Sequence, residues 1–282
     1  EDGSIESYDP KEYNLDNVNA GKTLFDLYKL TGKEKYRRAM DTVYSQLKEQ
    51  PRTSTGNFWH KKIYPHQIWL DGLYMAQPFY MQYEAEYNGC KNCEDSYQQF
   101  LQVYGRMRDP LNGLYYHAYD DSRQMFWCDK VTGLSENFWL RAMGWYAMAL
   151  IDTMEVMPES MTCQKARLNA IYKELIDAML PYQDQATGMW YQVVNRGGIA
   201  PNYLEESGSA IFAYAIMNSV RLHYLPQEYF KYGQKAFDGI CSTYLSEKDG
   251  SLQLGGICLV AGLGNTDMRE GTFEYYMREP VV

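Results

Sequence analysis

Apolar residues recur three and four positions apart along most of this chain. Leu24, Leu27 and Tyr28 form one such stripe, and Ala147, Leu150, Ile151 and Met154 form another. That spacing puts side chains on one face of an α-helix. The pattern predicts helices over residues 16–30, 34–50, 70–88, 94–108, 137–157, 162–182, 204–222 and 227–245. The breaks carry ordinary stop signals: Thr31-Gly32, Asn88-Gly89, Asp109-Pro110 and Asp249-Gly250. Glycine reaches the left-handed cap without a steric cost, and proline lacks the N–H that would continue a helix. No Ser/Gly linker or low-complexity stretch divides the series, so residues 1–282 read as a single domain.

The helix starts repeat. Trp69-Leu70-Asp71 opens one helix and Trp139-Leu140-Arg141 opens another, with looser copies at Asn14-Leu15-Asp16 and Tyr203-Leu204-Glu205. The connections repeat as well. Thr55-Gly56-Asn57-Phe58-Trp59-His60 resembles Asn112-Gly113-Leu114-Tyr115-Tyr116-His117 and Thr187-Gly188-Met189-Trp190-Tyr191-Gln192. A weaker echo begins at Gly250. A recurring helix start joined to a recurring turn is the signature of stacked helical hairpins. In a closed ring, equivalent starts converge on a central funnel. The expected all-α ring would therefore deliver Asp16, Asp71, Arg141 and Glu205 to one end of the fold.

Composition narrows the ligand. The chain has 27 Tyr, 6 Trp and 10 Phe, and aromatic rings with a polar edge suit sites that stack on sugars. Net charge is −9 without any basic run, so neither nucleic acid nor a long anionic polymer is an expected partner. No apolar run reaches the ~18 residues of a membrane span, so a soluble monomer or weak homo-oligomer is expected. The compartment stays open between cytoplasm and periplasm. Among six cysteines, Cys90 and Cys93 form a CxxC pair without a second pair at metal-ligand spacing. Structural zinc is not expected. Reduced thiols are the expectation, with a local disulfide as the alternative.

The densest chemistry lies between Asn57 and Gly72, NFWHKKIYPHQIWLDG. On position alone Asp71 is a carboxylate at a helix start, stabilised there by about 0.3–1 kcal/mol. Arg141 at the matching position argues for another role, because a cation is unfavourable at a helix start. His60 and His117 occupy equivalent loop positions near the acidic starts. No HExxH, GxSxG or Gly-rich phosphate loop occurs, so no metal or other cofactor is expected. Two carboxylates in one pocket suit a glycosidase. If Asp16 and Asp71 approach each other, repulsion would raise one pKa and leave a general acid.

At these residues the chain resembles the unsaturated rhamnogalacturonyl hydrolases, glycoside hydrolase family 105. The resemblance covers nearly the whole chain and is carried by YNLDNVNAGK (Tyr13 to Lys22), YPHQIWLDGLYMA (Tyr64 to Ala76) and FWLRAMGWYAMAL (Phe138 to Leu150). It implies an (α/α)6 barrel, a six-hairpin toroid, with part of the first and last helices absent from this chain. It also implies hydration of the double bond in a 4,5-unsaturated galacturonic acid, followed by release of a rhamnose-ended product. Under the resemblance Asp71 is the general acid and then the base, and Asp16 is the second active-site carboxylate. His60 and His117 contact sugar and water. Arg141 meets the substrate carboxylate or hydroxyls, and Trp69, Trp139 and Trp145 wall the pocket. The alternatives are an unsaturated glucuronyl hydrolase of the sister family 88, acting on glycosaminoglycan fragments, and an inverting endoglycosidase on the same barrel.

Overall fold

The computed structural model describes residues 2–265 and 268–282. The chain is all-α, with its helices paired as the hairpins of an (α/α)6 toroid. The predicted first helix is two: α1 (Asp16–Asn19) and α2 (Lys22–Thr31). The break falls at Gly21, where the Phe79 ring lies 2.9 Å from the place a Cβ would take. Only glycine admits that contact. α2 pairs with α3 (Glu34–Glu49), and α4 (Leu70–Tyr87) pairs with α5 (Cys93–Met107). α6 (Leu140–Val156) pairs with α7 (Thr162–Met179), and α8 (Glu206–Arg221) with α9 (Phe230–Tyr244). A short α10 (Phe273–Arg278), which the periodicity did not predict, lies near the end of the chain.

Burial separates inner from outer helices. α3 buries one stripe, Met40, Val43, Tyr44 and Leu47, as an outer helix with one face in water should. α6 is buried nearly all round, through Ala142, Met143, Tyr146, Ala147, Ala149, Leu150 and Ile151. It packs between α4 and α8, and α1 packs on α4. Leu150 and Ile151 are both fully buried, each contributing about 1.5–3 kcal/mol. The inner helices therefore form the rigid wall on which the funnel stands. No helix among the described residues is long and apolar enough to cross a membrane.

One backbone hydrogen bond fixes each inner helix start. Leu15 N–H donates to His60 O (3.1 Å), Leu70 N–H to His117 O (3.1 Å), Leu140 N–H to Gln192 O (3.0 Å) and Glu206 N–H to Gly256 O (3.0 Å). The residues that follow these donors are Asp16, Asp71, Arg141 and Ser207. Three match the predicted repeat; the fourth corrects it. Ser207, not Glu205, holds the equivalent position, because Glu205 is the N-cap of α8 and its carboxylate accepts from Ser207 N and Gly208 N. The expected echo at Gly250 is likewise displaced. Residues around it form an exposed hairpin of β3 (Leu245–Lys248) and β4 (Ser251–Leu254), numbered after β1 (Gln67–Trp69) and β2 (Ala118–Asp120).

β1 and β2 pair antiparallel, Trp69 opposite Ala118. The pairing ties the residues just before α4 to those just after His117. The cysteine expectation is also corrected: Cys90 and Cys93 form a disulfide. Left-handed backbone at Gly89 and Cys90 turns the chain between α4 and α5, and the two Cα atoms lie 5.0 Å apart, within disulfide reach.

Candidate active site

At the helix-start end of the inner helices lies a cleft of about 590 Å³, a size that suits a small ligand. Of the residues singled out in the sequence, Asp16, His60, Trp69, Asp71, Trp139, Arg141 and Trp145 line it. Two others do not. Glu205 is fully buried beneath the wall, occupied by its cap and by the Cys258 N–H at 3.0 Å. His117 is also fully buried; it stands behind Asp71 rather than on the cleft surface.

Asp71 follows the first residue of α4. Its Oδ2 lies 3.3 Å from His117 Nε2, and its side chain is 15% exposed. The approach is off the ring's N–H axis, and Oδ2 has no well-aligned hydrogen bond among the described residues. On the other side of the imidazole, His117 Nδ1 is 2.8 Å from the Tyr276 hydroxyl. Tyr276 belongs to α10 and is fully buried. Burial pushes the Asp71 carboxyl upward, but the contacts with His117 and the field of His60 outweigh it and hold the group below the usual carboxylate range.

Asp16 sits in a wetter place. Its side chain is 40% exposed, with Lys61 Nζ 2.5 Å from Oδ2 and His60 Nε2 3.5 Å from Oδ1. The expected repulsion with Asp16 does not raise Asp71, which His117 and His60 hold low instead. His60 itself is buried, which drives it down to about 4 against the pull of Asp16 and Asp71. Gly72 lets this ring approach; a Cβ there would stand 2.9 Å from His60 Nδ1.

The aromatic wall is layered. Tyr64 stacks on Trp69 (4.9 Å between centroids) and Trp69 on His60 (4.5 Å). Trp145 stacks on Tyr74 (5.1 Å). Glutamines satisfy the indole N–H groups of two wall tryptophans: Trp69 Nε1 donates to Gln67 and Trp139 Nε1 to Gln192, each at 3.0 Å. The Arg141 guanidinium lies 4.8 Å from the Trp139 ring centre. Its Nη1 donates to Ser207 Oγ (2.8 Å) and Cys258 O (2.6 Å), and Glu205 Oε1 is 3.9 Å away. The cation is thus anchored from behind.

The sequence reading missed Lys61, Tyr64, Glu206, Ser207 and Arg269, all on the cleft wall. Ser207 and Glu206 had a usable signal: Gly208 aligns with Gly72, which sets Glu205-Glu206-Ser207 against Trp69-Leu70-Asp71. Tyr276 had none, because α10 is too short to show periodicity. Glu206 is the raised carboxyl of the cleft. Burial and the neighbouring Glu205 charge push it up to about 7, with Arg141 opposing. Together these groups can stack a sugar ring, neutralise an anion and move a proton.

Comparison with known proteins places the chain in a family. The model of one family, Glycosyl Hydrolase Family 88, matches residues 2–282. Protein Atu3128 of Agrobacterium fabrum (strain C58 / ATCC 33970) is 38% identical over 215 residues, which cover 74% of this chain and 91% of that protein. Unsaturated rhamnogalacturonyl hydrolase YesR of Bacillus subtilis (strain 168) is 29% identical over 245 residues, 84% of this chain and 64% of its own length. Among solved structures, a family 105 glycoside hydrolase from C. acetobutylicum ATCC 824 superposes with a TM-score of 0.96 at 46% identity. It covers 100% of this chain and 78% of that one.

Proposed function

The chain belongs to glycosyl hydrolase family 88 and is a glycoside hydrolase, and we infer that it is of the unsaturated-uronyl kind. From that premise we propose that it acts on unsaturated rhamnogalacturonan oligosaccharides, hydrating the 4,5-double bond of the terminal unsaturated galacturonic acid. The observation that carries this reading is Asp71, a buried carboxylate on the cleft wall, backed by His117 and Tyr276. The likeness to YesR and the three phrases around Asp16, Asp71 and Arg141 support the rhamnogalacturonan assignment.

The chemistry then runs as follows. Asp71 protonates C4 of the vinyl ether, and positive charge develops on C5 and the ring oxygen. Water adds at C5 and returns its proton to the Asp71 carboxylate. The hemiketal opens to a C5 ketone, leaving a hydroxyl on C1. That carbon becomes an aldehyde as the glycosidic oxygen departs, protonated, with the neighbouring sugar. Before the uronate enters, Asp71 is held below the usual range. The uronate carboxylate, brought into the same low-dielectric space, raises it, because a nearby like charge disfavours ionisation. Arg141 neutralises the uronate, Asp16 holds the sugar, and Trp69, Trp139 and Trp145 stack on the rings. His60, buried and neutral above pH 4 or so, offers hydrogen bonds without adding charge.

The test is incubation with lyase-generated rhamnogalacturonan oligosaccharides, with glycosaminoglycan fragments in parallel. The expected result is rhamnose-ended product together with loss of the unsaturated uronate's ultraviolet absorbance. Sugar release with the absorbance preserved sinks the hydration mechanism and restores the inverting endoglycosidase. Faster turnover of the glycosaminoglycan fragments moves the assignment to a glucuronyl hydrolase.

A further inference from the structure

Two glutamates stand side by side at the start of α8 and have opposite fates. Glu205 is spent: Ser207 N, Gly208 N, Ser207 Oγ and Cys258 N all donate to it. Glu206 is 4% exposed and lines the cleft, yet its carboxyl has no hydrogen-bond or ion-pair partner among the described residues. Buried except where it meets the cleft, the carboxyl can find a partner only there, in water or in a ligand group. Arg141 lies on the same wall, with Nη1 already committed to Ser207 and Cys258.

We propose that Glu206 recognises the uronate carboxylate as a neutral carboxylic acid, donating its hydroxyl proton to one carboxylate oxygen while Arg141 supplies the compensating charge. This rests on the uronate reading above and adds a residue to it. An ionised Glu206 would repel the ligand. A protonated one gives a short, charge-assisted hydrogen bond, stronger than a neutral pair. Proton and ligand therefore bind together, and a carboxyl pushed up to about 7 before the ligand enters makes affinity fall across the neutral range. The groups facing Glu206 are Glu205 on its own helix, Arg141 on α6 and Tyr244 on α9, whose phenol is itself pushed upward by burial and by the two glutamates. Across the cleft stand Asp16 with Lys61 beside it, Arg269, Asp71, held low until a uronate enters, and His60, at about 4.

The experiment uses saturated galacturonate and its neutral counterpart galactose, followed by tryptophan fluorescence from about pH 5 to about pH 9. For the parent protein, galacturonate affinity should fall about tenfold per pH unit above neutrality, while galactose affinity stays flat. Glu206→Gln should bind galacturonate with little pH dependence and, at the alkaline end, at least about tenfold more tightly than the parent. Calorimetry on the parent and on Glu206→Gln, each in two buffers of different ionisation enthalpy, separates Glu206 from Asp71, which the uronate also raises: the parent should take up more protons on binding above neutrality than Glu206→Gln. Equal pH dependence in parent and Glu206→Gln, or equal proton uptake, overturns the proposal. Failure of galacturonate to bind at any pH overturns the uronate reading beneath it, which is a different result.

Discussion

The α4 side of the cleft and the α8 side each present one buried carboxyl to the same space, and the two are shifted in opposite directions. Asp71 has His117 at 3.3 Å and is held low. Glu206 has no such partner and is pushed up to about 7. Burial alone acts on both in the same sense. The imidazoles beside Asp71 and the Glu205 charge beside Glu206 set them apart. The same fold element, an inner helix start pinned by a loop carbonyl, therefore supplies a carboxylate on one wall and a carboxylic acid on the other. A third buried acid, Glu84 at the far end of α4, marks the structural extreme. Asn88 and Asn92 donate to it at 2.8–3.0 Å, and Tyr44 donates as well. It has little capacity left for a ligand.

The largest expected effect breaks the α4 wall. Asp71→Asn keeps the shape but cannot give a proton to C4. Its kcat on the unsaturated oligosaccharide should fall about 10²-fold or more, with the far-ultraviolet circular dichroism unchanged. Retention of a tenth or more of the parent kcat removes Asp71 from the acid role.

Next comes the cation between the walls. Arg141→Ala should weaken binding of the unsaturated uronate by about 2–5 kcal/mol, and that of a neutral analogue far less. Comparable losses for charged and neutral ligands would make Arg141 a structural residue only.

A smaller effect tests the imidazole itself. In His117→Asn the burial of Asp71 is no longer opposed by the ring, so the carboxyl moves up. The reactive form is protonated, so the alkaline limb of the kcat–pH profile should shift to higher pH, even as the maximum falls through lost positioning. An unmoved limb would mean that His117 does not set the Asp71 proton affinity.

The smallest effect is on stability. Glu206 has a folded pKa of about 7 against 4.5 for the free side chain. The native state thus holds the proton more tightly, and stability declines as pH rises from about 4.5 to about 7. At 1.36 kcal/mol per unit the ceiling is about 3 kcal/mol, lowered by water in the open cleft. Glu206→Gln should remove that decline and melt higher than the parent above neutrality. Parallel Tm–pH curves for the two proteins would contradict the raised carboxyl.

Much of this architecture was legible from the residues. The stripes located α3 to α9 within a few positions, because burial of one face imposes the helical period. The loop repeat placed His60, His117 and Gln192 correctly, and the structure shows why: their carbonyls pin the helix starts. The period could not reveal the break at Gly21, which depends on Phe79 arriving from another helix. It also could not set the phase at α8. Leu204 imitates the leucine of the motif, and two adjacent glutamates hide which one turns inward. His117 was assigned to the cleft surface because its loop position matches that of His60. Only the pairing of β1 with β2 and the packing of Tyr276 place it one layer behind.

The pinned helix start has a consequence for how such sites change over time. The anchoring bond uses main-chain atoms, so it is indifferent to the side chain that comes next. In this one chain the four equivalent positions hold aspartate, aspartate, arginine and serine, all on the cleft wall. A single codon can exchange acid for base or neutral at a defined point without rebuilding the scaffold. The ring works as a socket set, and its chemistry can drift faster than its shape.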